Sequence, residues 1–206
     1  APAGDVATLL ARAWPDQIAR ARPGSDGVYL MASGRAATLP ATDALAKADW
    51  LVIADLGGAS GQARITLAAP ISEADALATG VTTEERADFD PKTGRFAARR
   101  VRALGAIVLS ETPLPKPAPA VAARAMMDAV MAEGFGAIGA DHVVEETLGR
   151  LRVLVQAGLV EEADLSTESL LARAGEWLMP LLKRQGAQGP AAGKVREALV
   201  TSFDWQ

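Results

Sequence analysis

The sequence predicts an α+β chain: an N-terminal OB-like antiparallel β-barrel with short helices over residues 1–115, followed by an α-helical module over residues 116–206. Three observations carry this. Short apolar segments separated by turn formers fill the chain up to Glu111. Pro113, Pro115, Pro117 and Pro119 then alternate with other residues, favouring an extended stretch over continued pairing. Beyond them the apolar period becomes helical.

Asp5 to Ala13 places Val6, Leu9, Leu10 and Ala13 at helical spacing and stops at Trp14-Pro15, where proline blocks continuation. Gln17 to Arg22 and Val28 to Met31 read as strands around the turn Pro23-Gly24-Ser25-Asp26-Gly27. Ser33-Gly34-Arg35 turns the chain into Ala36 to Leu39. Trp50 to Leu56 is a clearer strand, with β-branched residues at its centre. A loop is expected at Gly57 to Gly61, then alternation over Ala63 to Ala69, and a short helix capped by Ser72 with Asp75. Thr82 to Phe89 and Arg95 to Glu111 form the arms of a hairpin around Asp90-Pro91-Lys92-Thr93-Gly94, the second arm being one long strand bent near Gly105. Such strands suit a small, curved barrel.

Helices are expected at Val121 to Glu133, stopped by Gly134, and at Asp141 to Ala157, with Val144, Leu148, Leu151 and Val155 on one face. Ser166 to Leu182 and Ala191 to Phe203 follow, and Pro180 should kink or split the first of these.

The basic run is the main functional hint. Lys92, Arg95, Arg99, Arg100 and Arg102 follow one another without an acidic residue, in a chain whose net charge is −4. Strand parity sends Arg95 and Arg99 one way and Arg100 and Arg102 the other, so at least one pair should meet solvent. The halves split at residue 115 carry −1 and −3, which excludes general attraction to nucleic acid and makes any polyanion site a local patch. A solvated strand face is the plainer reading of the same charges.

No catalytic, cofactor or metal site is expected in this chain. Gly134-Phe135-Gly136-Ala137-Ile138-Gly139 has the spacing of a dinucleotide turn, yet a helix enters it where that chemistry needs a strand. Gly193-Lys194 lacks the rest of a phosphate-binding loop, no acidic box for magnesium is present, and no serine stands in a hydrolase elbow. His142 and Glu145 lie one helical turn apart without the second histidine or cysteine that would extend them to a metal site. Asp88 and Asp90 start like a calcium loop, but Lys92 and Thr93 stand where a ligand and a glycine belong. The absence of cysteine fits a reducing compartment and a cytoplasmic location, and no apolar run approaches membrane length.

Several stretches are similar to the C-terminal region of HrpB-type bacterial DEAH-box ATP-dependent helicases. They include Leu9 to Ala19, Tyr29 to Arg35, Asp49 to Leu56, Ala63 to Ile71 and, most specifically, Arg99 to Pro115. Leu165-Ser166, Glu176-Trp177-Leu178 and Phe203-Asp204-Trp205 continue the likeness. The resemblance implies a noncatalytic fragment of an RNA helicase. ATP and Mg would belong to motor domains of the same polypeptide, and the OB-like module would help close a channel over single-stranded RNA. Lys92, Arg95, Arg99, Arg100 and Arg102 would touch that strand or the motor. The opening Ala-Pro-Ala, with no Met, fits an excised piece. It equally fits the rival expectation, a secreted or periplasmic protein-interaction module left after removal of a leader.

Overall fold

The computed structural model describes residues 3–58, 63–159 and 164–203. The expected loop residues 59–61 and the closing Asp204-Trp205 lie outside them. The chain divides into two compact units, one of residues 1–84 with 101–111 and one of residues 85–100 with 112–206.

In the first unit, helix α1 (Ala3–Ala13) leads through a 3₁₀ turn at Pro15–Gln17 into β1 (Ile18–Ala21), β2 (Val28–Met31), β3 (Ala36–Thr38), β4 (Trp50–Gly57) and β5 (Ala63–Pro70). These strands close a barrel in the order β1-β2-β3-β5-β4. Closure comes from the β1–β4 pair, with Arg20 opposite Trp50. One correction concerns strand direction: β3 and β5 pair in parallel, Ala37 opposite Ala63, so the barrel is not wholly antiparallel. Unlike a two-residue hairpin, the long β3-to-β5 connection permits that direction.

The run Trp50-Leu51-Val52-Ile53 is buried on both faces. Leu51 and Ile53 join Ala19, Tyr29, Met31, Ala37 and Ile65 in one cluster. Trp50 and Val52 join Ala7, Ala11, Ile18, Ala76, Leu104 and Ile107 in another. That double burial explains a continuous apolar segment where a one-sided strand would alternate. The Tyr29 hydroxyl lies 2.7 Å from the Leu45 carbonyl and 2.9 Å from that of Ala48, tying the 3₁₀ turn Ala44–Lys47 to the barrel wall. Burial, with Asp49 and then Asp43 nearby, raises the Tyr29 pKa and keeps the phenol a donor. Ser72 accepts the Asp75 amide and caps α2 (Glu73–Leu77), as expected.

A larger correction concerns Arg95 to Glu111. It is two strands, β7 (Arg95–Leu104) and β8 (Ile107–Leu114), which join β6 (Thr82–Asp90) in a separate three-stranded sheet of order β6-β7-β8 outside the barrel. Gly105 is therefore the corner of a second hairpin. Only the first of its two central residues has positive φ, as a type II′ turn requires.

The second unit holds α3 (Pro119–Glu133), α4 (Asp141–Gln156), α5 (Thr167–Ala172), α6 (Ala174–Gln185) and α7 (Ala192–Thr201). Pro119 sits in the first turn of α3, where its missing N–H is harmless, and Gly134 ends that helix at φ 83°. Pro180 does not split its helix. It lies within α6 on the exposed side, where water can satisfy the carbonyl that its missing donor leaves free, and the break falls instead at Arg173. The core gathers Met126, Val130, Phe135, Leu148, Leu170, Trp177, Leu178 and Leu181, with Phe89 and Phe96 of the β6–β7 hairpin packed against it.

Candidate nucleic-acid interface

The β6–β7 hairpin tip is set by its turn. The Asp90 carboxylate accepts the Thr93 hydroxyl at 2.7 Å and the Lys92 amide at 3.0 Å, while the Gly94 amide donates to the Asp90 carbonyl at 2.8 Å. Behind the turn, Phe89 and Phe96 face each other across the strands with ring centroids 4.9 Å apart. This holds Lys92 and Arg95 exposed at the end of the hairpin.

The Thr93 hydroxyl first, then the Lys92 amide, holds the Asp90 carboxyl below its ordinary value. A depressed folded pKa means that the turn's contribution is fully present above the unfolded value, near 3.9, and is lost as pH falls through the folded one. Wild type should therefore lose more stability than Asp90→Asn between pH 5 and pH 2 in urea titrations. Equal losses would remove Asp90 from the acid response.

The arginines do not share one environment. Along β7, burial falls on Phe96 and Ala98 and then on Val101 and Ala103, so the covered side changes between residues 98 and 101. Simple alternation did not foresee this. Arg95, Arg100 and Arg102 are exposed in consequence, while Arg99 is half-buried. Arg99 pairs with Asp88 at 2.6 Å and Arg100 reaches Glu85 at 3.4 Å, so the neighbouring strand partly neutralises both. Among the described residues, Lys92, Arg95 and Arg102 enter no side-chain ion pair. Lys92 and Arg95 sit at the hairpin tip, Arg99 and Arg100 lie further down the same hairpin beside Asp88 and Glu85, and Arg102 belongs to the other unit.

A second cationic feature lies at one end of the barrel. Arg20, Arg22 and Lys47 line a groove of about 710 Å³ together with Asp26, Asp49 and Glu73. The Arg20 guanidinium stacks over Trp50 at 5.4 Å and donates to the Val108 carbonyl at 3.3 Å. Three cations against three acids leave this groove little net attraction for a polyanion. The linear sequence hid it because its cations come from segments that only the β1–β4 pairing unites.

The Gly134 to Gly139 loop uses several of its amides within the fold. It is a 3₁₀ turn between α3 and α4, and the amides of Gly134, Ala137, Gly139 and Ala140 all donate to nearby carbonyls. Among the described residues, no three His, Asp or Glu side chains gather as a metal site would need. Among the described residues, too, no helix is long and apolar enough to cross a membrane.

Residues 81–114 match the family model described as ATP-dependent RNA helicase HrpB, connector region. That span coincides with the β6–β8 sheet and both of its turns. The chain is 33% identical to the ATP-dependent RNA helicase HrpB of Escherichia coli K12 over 210 residues, covering 97% of this chain and 26% of that protein. A crystal structure of the E. coli DExH-box NTPase HrpB superposes with a TM-score of 0.61 at 28% identity, again over 97% of this chain and 26% of that one. Another, of the Escherichia coli DEAH/RHA helicase HrpB, gives 0.60 at 26% identity with the same coverage. The chain thus spans about a quarter of the length of these relatives.

Proposed function

We propose, from a chain that resembles HrpB helicases along 97% of its own length, that this is the noncatalytic C-terminal part of an ATP-dependent RNA helicase. It packs with the motor domains of the same cytoplasmic polypeptide, which hold ATP and Mg, and it contributes to gripping single-stranded RNA. The observation that carries the reading is this near-complete coverage at 33% identity. Exposed cations on a sheet beside a small barrel are what an accessory strand-binding module would present.

The strand contact is assigned to Lys92, Arg95, Arg99, Arg100 and Arg102, in two grades. Among the described residues, Lys92, Arg95 and Arg102 offer exposed charge without an internal ion pair, whereas Arg99 and Arg100 share theirs with Asp88 and Glu85. Each phosphate contact to a single strand adds about 0.7 to the slope of log affinity against log salt. Replacing Lys92 and Arg95 together by alanine in the complete gene product should weaken RNA binding and flatten that slope by about 1.4. Replacing Arg99 and Arg100 should flatten it less per residue. Fluorescence anisotropy with a labelled single strand across a salt series measures both. Unchanged affinity and slope for the Lys92 and Arg95 variant would withdraw RNA contact from the hairpin tip.

A further inference from the structure

We infer that the outward face of α1 and the barrel rim beside it form the surface on which the rest of the larger polypeptide docks, an inference that rests on the helicase-fragment reading above. Helix α1 buries its alanines most completely and keeps Leu10 half-buried against the barrel core. Ala7 and Ala11 are 1% and 0% exposed, while the larger Val6, Leu9 and Trp14 are 49%, 66% and 56% exposed. A helix covering a core ordinarily turns its largest apolar side chains inward, because burial stabilises in proportion to apolar area.

The exposed residues form one face rather than a scatter. Val6, Leu9 and Ala13 fall at helical spacing around Leu10, itself half-buried against the barrel core, and Trp14 follows one turn after Leu10, its amide bonded to the Leu10 carbonyl at 2.8 Å. Arg12, three residues after Leu9, borders this face. Beside it, Trp14 and Leu10 line a recess of about 190 Å³ with Gln17, Val52, Ile53 and Ala54. An apolar cluster with a tryptophan at a recess resembles an interface core. Leu67 and Val108, the other large apolar residues left exposed in this unit, form no comparable cluster with a recess.

The occupant is an apolar surface of the same gene product. The relatives extend about three quarters of their length beyond what this chain matches. Tethering in one polypeptide gives such a surface a high effective concentration, so a patch too small for a free partner suffices.

Two measurements on this chain and on the complete gene product test the inference. This chain lacks cysteine, so Leu9→Cys supplies a labelling site that peptide mass spectrometry identifies. Its maleimide labelling should be at least about tenfold slower in the complete product than in the 206-residue chain, an order of magnitude set by burial in a packed interface. Amide exchange over α1 should slow in parallel. Equal labelling in both, with protection found elsewhere on the chain, would overturn the docking face and leave the helicase-fragment reading intact. No protection anywhere, or a gene that encodes no motor, would overturn both. Protection of Leu9→Cys that grows with concentration in the 206-residue chain alone would assign the face to a second copy and overturn the inference.

Discussion

Gly105→Ala is expected to lower the unfolding free energy of the barrel unit by about 3 kcal/mol or more in urea denaturation. Two independent effects add. Gly105 sits at φ 56°, where an L-residue is disfavoured by about 1–2 kcal/mol. An added Cβ would also fall within hard contact of the Ala32 carbonyl oxygen and press on the Ala32 Cβ, 3.1 Å away. The oxygen cannot retreat freely, because it accepts the Ala106 amide at 2.8 Å and so closes the β7–β8 turn onto the barrel loop. Relief by moving the turn would disturb Leu104 and Ile107, which flank it and are buried with Trp50 and Val52. As a control, Gly94→Ala should cost only the conformational part, since its φ is 66° and nothing lies within 4 Å of the added carbon. Similar losses at the two glycines would mean that the contact with Ala32 carries no energy.

Gly105 also marks where the sequence stops being legible. A glycine inside an apolar run is compatible with a kink in one strand or a corner between two, and local pattern cannot separate them. The deciding contact is with Ala32, some seventy residues away in the chain. The short strands, the Ser72 cap and the helices after residue 119 follow from local chemistry, so periodicity and turn formers locate them well. The two aromatic residues of the β6–β7 hairpin read as members of a barrel strand, yet Phe89 and Phe96 pack against the helical core. Side-chain chemistry says only that they seek burial. It does not say against what.

The candidate site divides in the same way. The positions of Lys92 and Arg95 at the hairpin end follow from Pro91 and Gly94, which fix the turn. The pairing of Arg99 with Asp88 and of Arg100 with Glu85 also lay within reach, because the acids of one arm and the bases of the other face each other once a hairpin is drawn. Charge counted along β7 alone overstates what the strand can offer a phosphate. The barrel-end groove of Arg20, Arg22 and Lys47 was out of reach, since it depends on barrel closure.

Trp177→Ala should destabilise the helical unit by about 3–5 kcal/mol, the range for deleting a buried aromatic side chain. Trp177 is 5% exposed, packs on Phe135 with centroids 5.7 Å apart, and donates its indole N–H to the Leu170 carbonyl at 3.2 Å. That bond spans the break at Arg173, so the indole joins α5 to α6 where the backbone helix is interrupted. Trp177→Phe keeps most of the apolar volume and removes the donor, which should cost about 1–2 kcal/mol by leaving a buried carbonyl unpaired. The difference between the two variants separates ring packing from the α5–α6 tie. The cluster that contains Trp177 and the two clusters of the barrel unit share no buried residue. Amide exchange in Trp177→Ala should therefore accelerate across α3 and α6 and change little in β1 and β4. Equal acceleration in the barrel strands would show that the two cores unfold as one cooperative body, and separate values for the units would then have no meaning.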